Sequence, residues 1–173
     1  KEQKDIEFIN VNLSPAQCLN SMLSSELSAI AAKYDVSMNM IDFEITETAA
    51  EDFLSIQKQI YLLQKEGAEL SLDDFGAGTS NLTRLMNLPI HVVKIDMEVA
   101  QSYFKEEVSF LPDLIRMFQN ANMKIVVEGV ETEEMKNMLM SLDCDYLQGF
   151  YFSKALPEDE FIAFMEENKN KKW

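Results

Sequence analysis

Six short segments rich in β-branched and apolar residues recur along the chain: Phe8 to Leu13, Ile41 to Thr46, Ala68 to Asp73, Val92 to Asp96, Lys124 to Glu128 and Asp145 to Gln148. Helical patterns fill the intervals. One is expected from about Ala50 to Glu66, with Phe53, Ile56, Ile60 and Leu63 on one stripe and Gly67 as its C-terminal cap. Another should follow Thr132, an N-cap residue backed by Glu133 and Glu134 in the first turn. A third is expected over Val108 to Asn120, broken or started at Pro112. Alternating strands and helices predict an α/β fold with a mainly parallel sheet, either doubly wound or closed as a (β/α) barrel. A dinucleotide-binding sheet would carry a Gly-rich first turn, and no G-x-G-x-x-G follows any of these segments.

The residues that interrupt the apolar segments all fall near their C-terminal ends: Asn12, Glu44, the pair Asp73 and Asp74, Lys94, Glu128 and Gln148. Their gaps of 32, 29, 21, 34 and 20 residues are those of single strand-helix units. In a barrel they would meet on one rim, where barrels carry their chemistry. Alternation supports this, since Asn10 and Asn12 share the face opposite Ile9, Val11 and Leu13, while Asp42 and Glu44 oppose Ile41, Phe43 and Ile45. A single acid at a strand end is ordinarily a cap or a solvated loop residue. Several on one rim are costly unless cations neutralise them.

The charge balance narrows the partners. Fifteen Lys and Arg against thirty Asp and Glu give a net charge of −15, which argues against bulk binding of nucleic acid. One histidine, His91, and two cysteines, Cys18 and Cys144, exclude a multi-imidazole or thiolate metal centre, so a metal would have to be held by oxygen. His91 is expected at a surface or strand edge, the cysteines as buried thiols, and the eleven methionines as core filling. No apolar run approaches the ~20 residues of a membrane-spanning helix. A cytoplasmic bacterial setting is expected, with any membrane tether lying upstream.

The stretches Val11-Asn12-Leu13-Ser14, Glu44-Ile45-Thr46-Glu47, Asp73-Asp74-Phe75-Gly76-Ala77-Gly78, Lys94-Ile95-Asp96, Glu128-Gly129-Val130-Glu131 and Gln148-Gly149 follow one another in the order of the EAL family, which the chain resembles from about residue 6 to 160. The resemblance implies a TIM-like barrel that hydrolyses cyclic di-GMP to linear pGpG with two Mg2+ or Mn2+ ions. It implies Asn12, Glu44, Asp73 and Asp74 as metal ligands, with Asp73, Lys94 and Glu128 catalytic: Lys94 holding the attacking water and Glu128 handling its proton. Glu131 and Gln148 match supporting or substrate-binding positions, and Glu47 matches a glutamate that braces the loop after Asp74. Phe150 and Tyr151 are open to two readings, core packing or stacking on guanine.

The Glu-Ala-Leu strand that names the family is absent from the 173 residues, and about six of eight strands are present. The expectation is one EAL-type domain over 1–173, incomplete at its N-terminus by two strand-helix units and fraying over 168–173. Such a segment alone should be inactive, and two open sheet edges should invite pairing or swapping. The resemblance further implies a longer signalling protein, with GGDEF-type or other regulatory domains upstream, and a homodimer. Thr79 and Met97 stand where the family commonly has Tyr and Arg. These departures keep a second reading open: a non-catalytic relative that binds cyclic di-GMP or a protein partner.

Overall fold

The computed structural model describes residues 6–46, 53–78 and 88–169. Six strands form one sheet: β1 (Ile9–Asn12), β2 (Ile41–Thr46), β3 (Glu69–Phe75), β4 (Val92–Ile95), β5 (Lys124–Val127) and β6 (Tyr146–Leu147). Every neighbouring pair is parallel and the spatial order is the sequence order. A doubly wound sheet reverses its order at a switch point, and this one does not. The six strands are therefore a stretch of TIM-like barrel wall, as expected.

Helices line one face: α1 (Pro15–Cys18), α2 (Leu23–Lys33), α3 (Phe53–Lys65), α4 (Met97–Phe104), α5 (Leu111–Asn120), α6 (Glu133–Ser141) and α7 (Glu158–Asn168). Local chemistry sets their ends. Ser14 opens α1 with a capping box: its hydroxyl accepts from the Gln17 amide at 3.3 Å and its own amide donates to Gln17 Oε1 at 2.9 Å. Gly67, at φ +96°, closes α3 while Gly67 N–H bonds Gln64 O and Ala68 N–H bonds Leu63 O, the paired bonds of a Schellman motif. Thr132 caps α6 by accepting from the Met135 amide at 3.2 Å, and Pro112 lies in the first turn of α5. The expected helix after Val108 thus starts three residues later, at Leu111. Helix α4 was outside the sequence expectation; it is started by Asp96, whose carboxylate accepts from the Glu98 amide at 2.7 Å, and packs Val99, Ala100, Tyr103 and Phe104 on the core.

Apolar residues on the helix-facing side of the sheet form two adjoining clusters. Leu13, Phe43, Ile45 and Leu70 pack with Ile56, Ile60 and Leu63 of α3; Leu72, Val93, Ile95 and Val127 pack with Ile115 and Phe118 of α5. Each such buried side chain contributes roughly 1.5–3 kcal/mol. The opposite face carries Asp42, Glu44, Ser71, Asp73 and Lys94, all nearly buried. The alternation read from sequence holds in β2. It fails for packing in β1, where Ile9 and Val11 are 53% and 41% exposed because β1 is an edge strand. Ala50 to Asp52 and most of the expected fraying tail lie outside the described residues.

Candidate active site

Lys94 sits near the end of β4 and is 4% exposed. A buried ammonium is tolerated only when paired, and Lys94 is paired three times: with Glu44 Oε1 at 2.7 Å, Asp73 Oδ1 at 2.8 Å and Glu128 Oε1 at 2.7 Å. These acids come from β2, β3 and the residue after β5, so one cation joins four neighbouring units. Burial alone would lower the affinity of Lys94 for its proton, but the hydrogen bonds to Asp73, Glu128 and Glu44 overcome it and raise the pKa. Lys94 is a fixed positive charge.

Asp73 and Asp74 are adjacent, and in a regular strand adjacent side chains point to opposite faces. Here the register between β3 and β4 shifts between Leu72 and Phe75, and Asp74 takes φ +56°, a left-handed conformation that aspartate adopts more readily than most residues. The irregularity turns both carboxylates to one rim. Oxygens of Asp73, Asp74 and Glu128 lie within 4.8 Å of one another, a grouping able to hold a metal ion. Burial, followed by the charges of Asp73 and Asp96, raises the pKa of Asp74. Burial also raises that of Glu128 against the opposing pull of Lys94. An all-oxygen, acidic donor set suits a hard divalent cation, and the mutual repulsion of these carboxylates gives such an ion something to relieve.

Of the residues singled out from sequence, Glu44, Asp73, Asp74, Lys94 and Glu128 are brought together. Asn12 ends β1 in register with Glu44, its side chain exposed on the rim. Gln148 follows β6 and is exposed; its backbone bonds Val127 and Val130. Glu131 is exposed and accepts from Gln101 at 3.5 Å. Glu47 and Thr79 lie outside the described residues. Phe150 is 66% exposed, whereas Tyr151 packs against the core. His91 is exposed and lies 3.3 Å from Gln64, away from the rim. Cys18 is buried; Cys144 is only half-buried, its thiol pushed up to about 12 by burial and by Asp145 and Asp143.

Two polar residues behind the rim were missed as site residues. Asn10 donates to Glu44 Oε1 at 2.6 Å and, more weakly, to Asp42 Oδ2 at 3.5 Å. Asp42, 2% exposed, is pushed up to about 6, first by burial. The available signal was alternation, since both lie on the face of Asn12 and Glu44.

The family model described as EAL domain matches residues 1–155. Among curated relatives, the biofilm architecture maintenance protein MbaA of Vibrio cholerae is 32% identical over 95% of this chain and 21% of its own length. The cyclic di-GMP phosphodiesterase RocR of Pseudomonas aeruginosa is 31% identical over 88% of this chain and 40% of its own. The chain thus spans a fifth to two-fifths of the length of these relatives. Among solved structures, the PaMucR phosphodiesterase in complex with c-di-GMP superposes with a TM-score of 0.80 at 29% identity, over 89% of this chain and 64% of that one. Klebsiella pneumoniae BlrP1, in a complex with manganese and cy-diGMP, gives 0.77 at 26% identity, over 87% and 39%.

Proposed function

The chain belongs to the EAL domain family, and from that premise we propose that it forms part of a phosphodiesterase that hydrolyses cyclic di-GMP to linear pGpG. The observation that carries this reading is the Lys94 ammonium held by Glu44, Asp73 and Glu128 at 2.7–2.8 Å, on the rim that also bears Asp74. Asn12, Glu44, Asp73 and Asp74 would hold two Mg2+ or Mn2+ ions. When bound, the two ions neutralise the phosphodiester's charge and acidify water at the site.

The chain's own residues do the rest. Lys94, held protonated by Glu44, Asp73 and Glu128, sets its positive charge beside the attacking water, and would turn an N–H to that oxygen once a bound cation draws one of the three carboxylates away. Glu128, whose raised pKa improves it as a base, takes the water's proton as the oxygen bonds phosphorus and the P–O bond to the ribose opens, the released ribose oxygen taking a proton from solvent to become the hydroxyl of pGpG. Asp73 belongs to both sets, steadying Lys94 while lying beside Asp74. Glu131 and Gln148 extend the rim toward substrate. A highly acidic chain can take an anionic dinucleotide because the positive charge is concentrated at the site. We place the domain in the bacterial cytoplasm, within a longer signalling protein carrying regulatory domains of GGDEF or other type, and as a homodimer. Among the described residues no helix is long and apolar enough to cross a membrane.

The test is chromatographic detection of pGpG from cyclic di-GMP by the full-length protein with Mn2+. Activity is expected, with Glu44→Ala and Lys94→Ala each reducing it at least a hundredfold, the scale on which pre-organised charged groups act. Activity unchanged by either substitution overturns the site. The non-catalytic reading draws on Met97, 49% exposed where the family commonly has Arg. Tight cyclic di-GMP binding by calorimetry with no pGpG formed would favour it.

A further inference from the structure

Glu44 Oε1 receives two donors, the Asn10 side-chain amide at 2.6 Å and the Lys94 ammonium at 2.7 Å. Among the described residues no hydrogen bond or ion pair engages its other oxygen, Oε2. Two donors approaching one oxygen from different strands restrain the terminal torsion of the glutamate, which is otherwise broad. They also leave Oε2 as the oxygen free for a further charge. The placement comes from register: Asn10 pairs with Asp42 across the β1–β2 boundary, so its amide reaches diagonally along the strand to Glu44. A neutral amide is suited to the position, because it donates to Glu44 and, at 3.5 Å, to Asp42 without adding negative charge between two carboxylates.

We infer that Asn10 is a positioning residue, which holds the Glu44 carboxylate so that Oε2 is the oxygen offered to a divalent cation. The inference deepens the phosphodiesterase reading and rests on it for the reaction served, while its primary readout is cation binding itself. Outer partners that orient a ligating carboxylate commonly contribute 10–100-fold to metal affinity or activity.

The experiment titrates Mn2+ into the full-length protein, following the free ion by electron paramagnetic resonance. Asn10 belongs to neither apolar cluster, so Asn10→Ala should fold; Asn10→Gln keeps the donor. The expected result is about tenfold weaker Mn2+ binding in Asn10→Ala, most of it regained in Asn10→Gln, and no further weakening when Asn10→Ala is added to Glu44→Gln. Turnover lost in Asn10→Ala should return at high Mn2+. Unchanged Mn2+ affinity in Asn10→Ala, or an equal loss in the Glu44→Gln background, overturns the inference even if cyclic di-GMP is hydrolysed. If Mn2+ affinity shifts as expected but the wild type forms no pGpG, Asn10 stands as positioning residue and the proposed reaction falls.

Discussion

Lys94 is the residue on which the site balances. Removing one member of a buried ionic cluster strands its partners, a loss of about 3–5 kcal/mol, and Lys94→Met would leave three carboxylates facing one another. In EDTA the variant should unfold at lower urea than wild type by that amount, and Mn2+ should recover more stability in the variant than in wild type; equal recovery would count against a cation-binding role for the cluster. Asp42 gives a pH signature. Its folded pKa of about 6 lies above the roughly 3.9 of an unfolded aspartate. Between those values the folded state holds the extra proton, so this contribution favours folding at low pH and is lost as pH rises through 6. Asp42→Asn should therefore be more stable than wild type at pH 8 by about 2–3 kcal/mol, with the gap closing by pH 4. Urea denaturation at both pH values in EDTA checks it, and a pH-independent gap would refute it.

At the scale of elements, two glycines separate conformational freedom from space. Gly67 has φ +96° and open space where a Cβ would go, so Gly67→Ala should cost only the left-handed strain, about 1 kcal/mol. At Gly149 a Cβ would run into the backbone carbonyl and amide of Val130, atoms held by the Gln148, Val130 and Tyr151 hydrogen bonds. Gly149→Ala should then cost about 3 kcal/mol. Thermal denaturation of the two variants should rank them in that order; the reverse order would mean that the β6 turn yields. Element types were legible because each has a local cause: the Ile56, Ile60 and Leu63 stripe, the Thr132 cap, the alternation in β2. Helix α4 has a local cause too, the Asp96 carboxylate on the Glu98 amide, but it spans only eight residues, about two turns, over which an apolar spacing shows little.

Across the whole molecule, both ends of the sheet carry exposed apolar side chains, Ile9 and Val11 on β1 and Phe150 and Phe161 beyond β6. Unpaired parallel edges with apolar cover recruit other chains. Produced as these 173 residues alone, the protein should self-associate with rising concentration in light scattering, and Ile9→Lys with Val11→Lys should reduce it; a monomer at every concentration would contradict this. The mainly parallel sheet and the placing of Glu44, Asp73, Lys94 and Glu128 at strand ends were legible in the sequence itself, because period-two alternation and the length of a strand-helix unit are local properties, whereas the choice of barrel wall over doubly wound sheet came from the family motifs and is seen in the strand order. Tertiary structure decided what no local pattern encodes. It took the β3–β4 register shift to turn Asp73 and Asp74 the same way, convergence of three strands on one ammonium to keep Lys94 charged in the interior, and the β1–β2 register to bring Asn10 to Glu44. Each is a distance between strands far apart in sequence, set by packing of the helix-facing cores on the other side of the sheet.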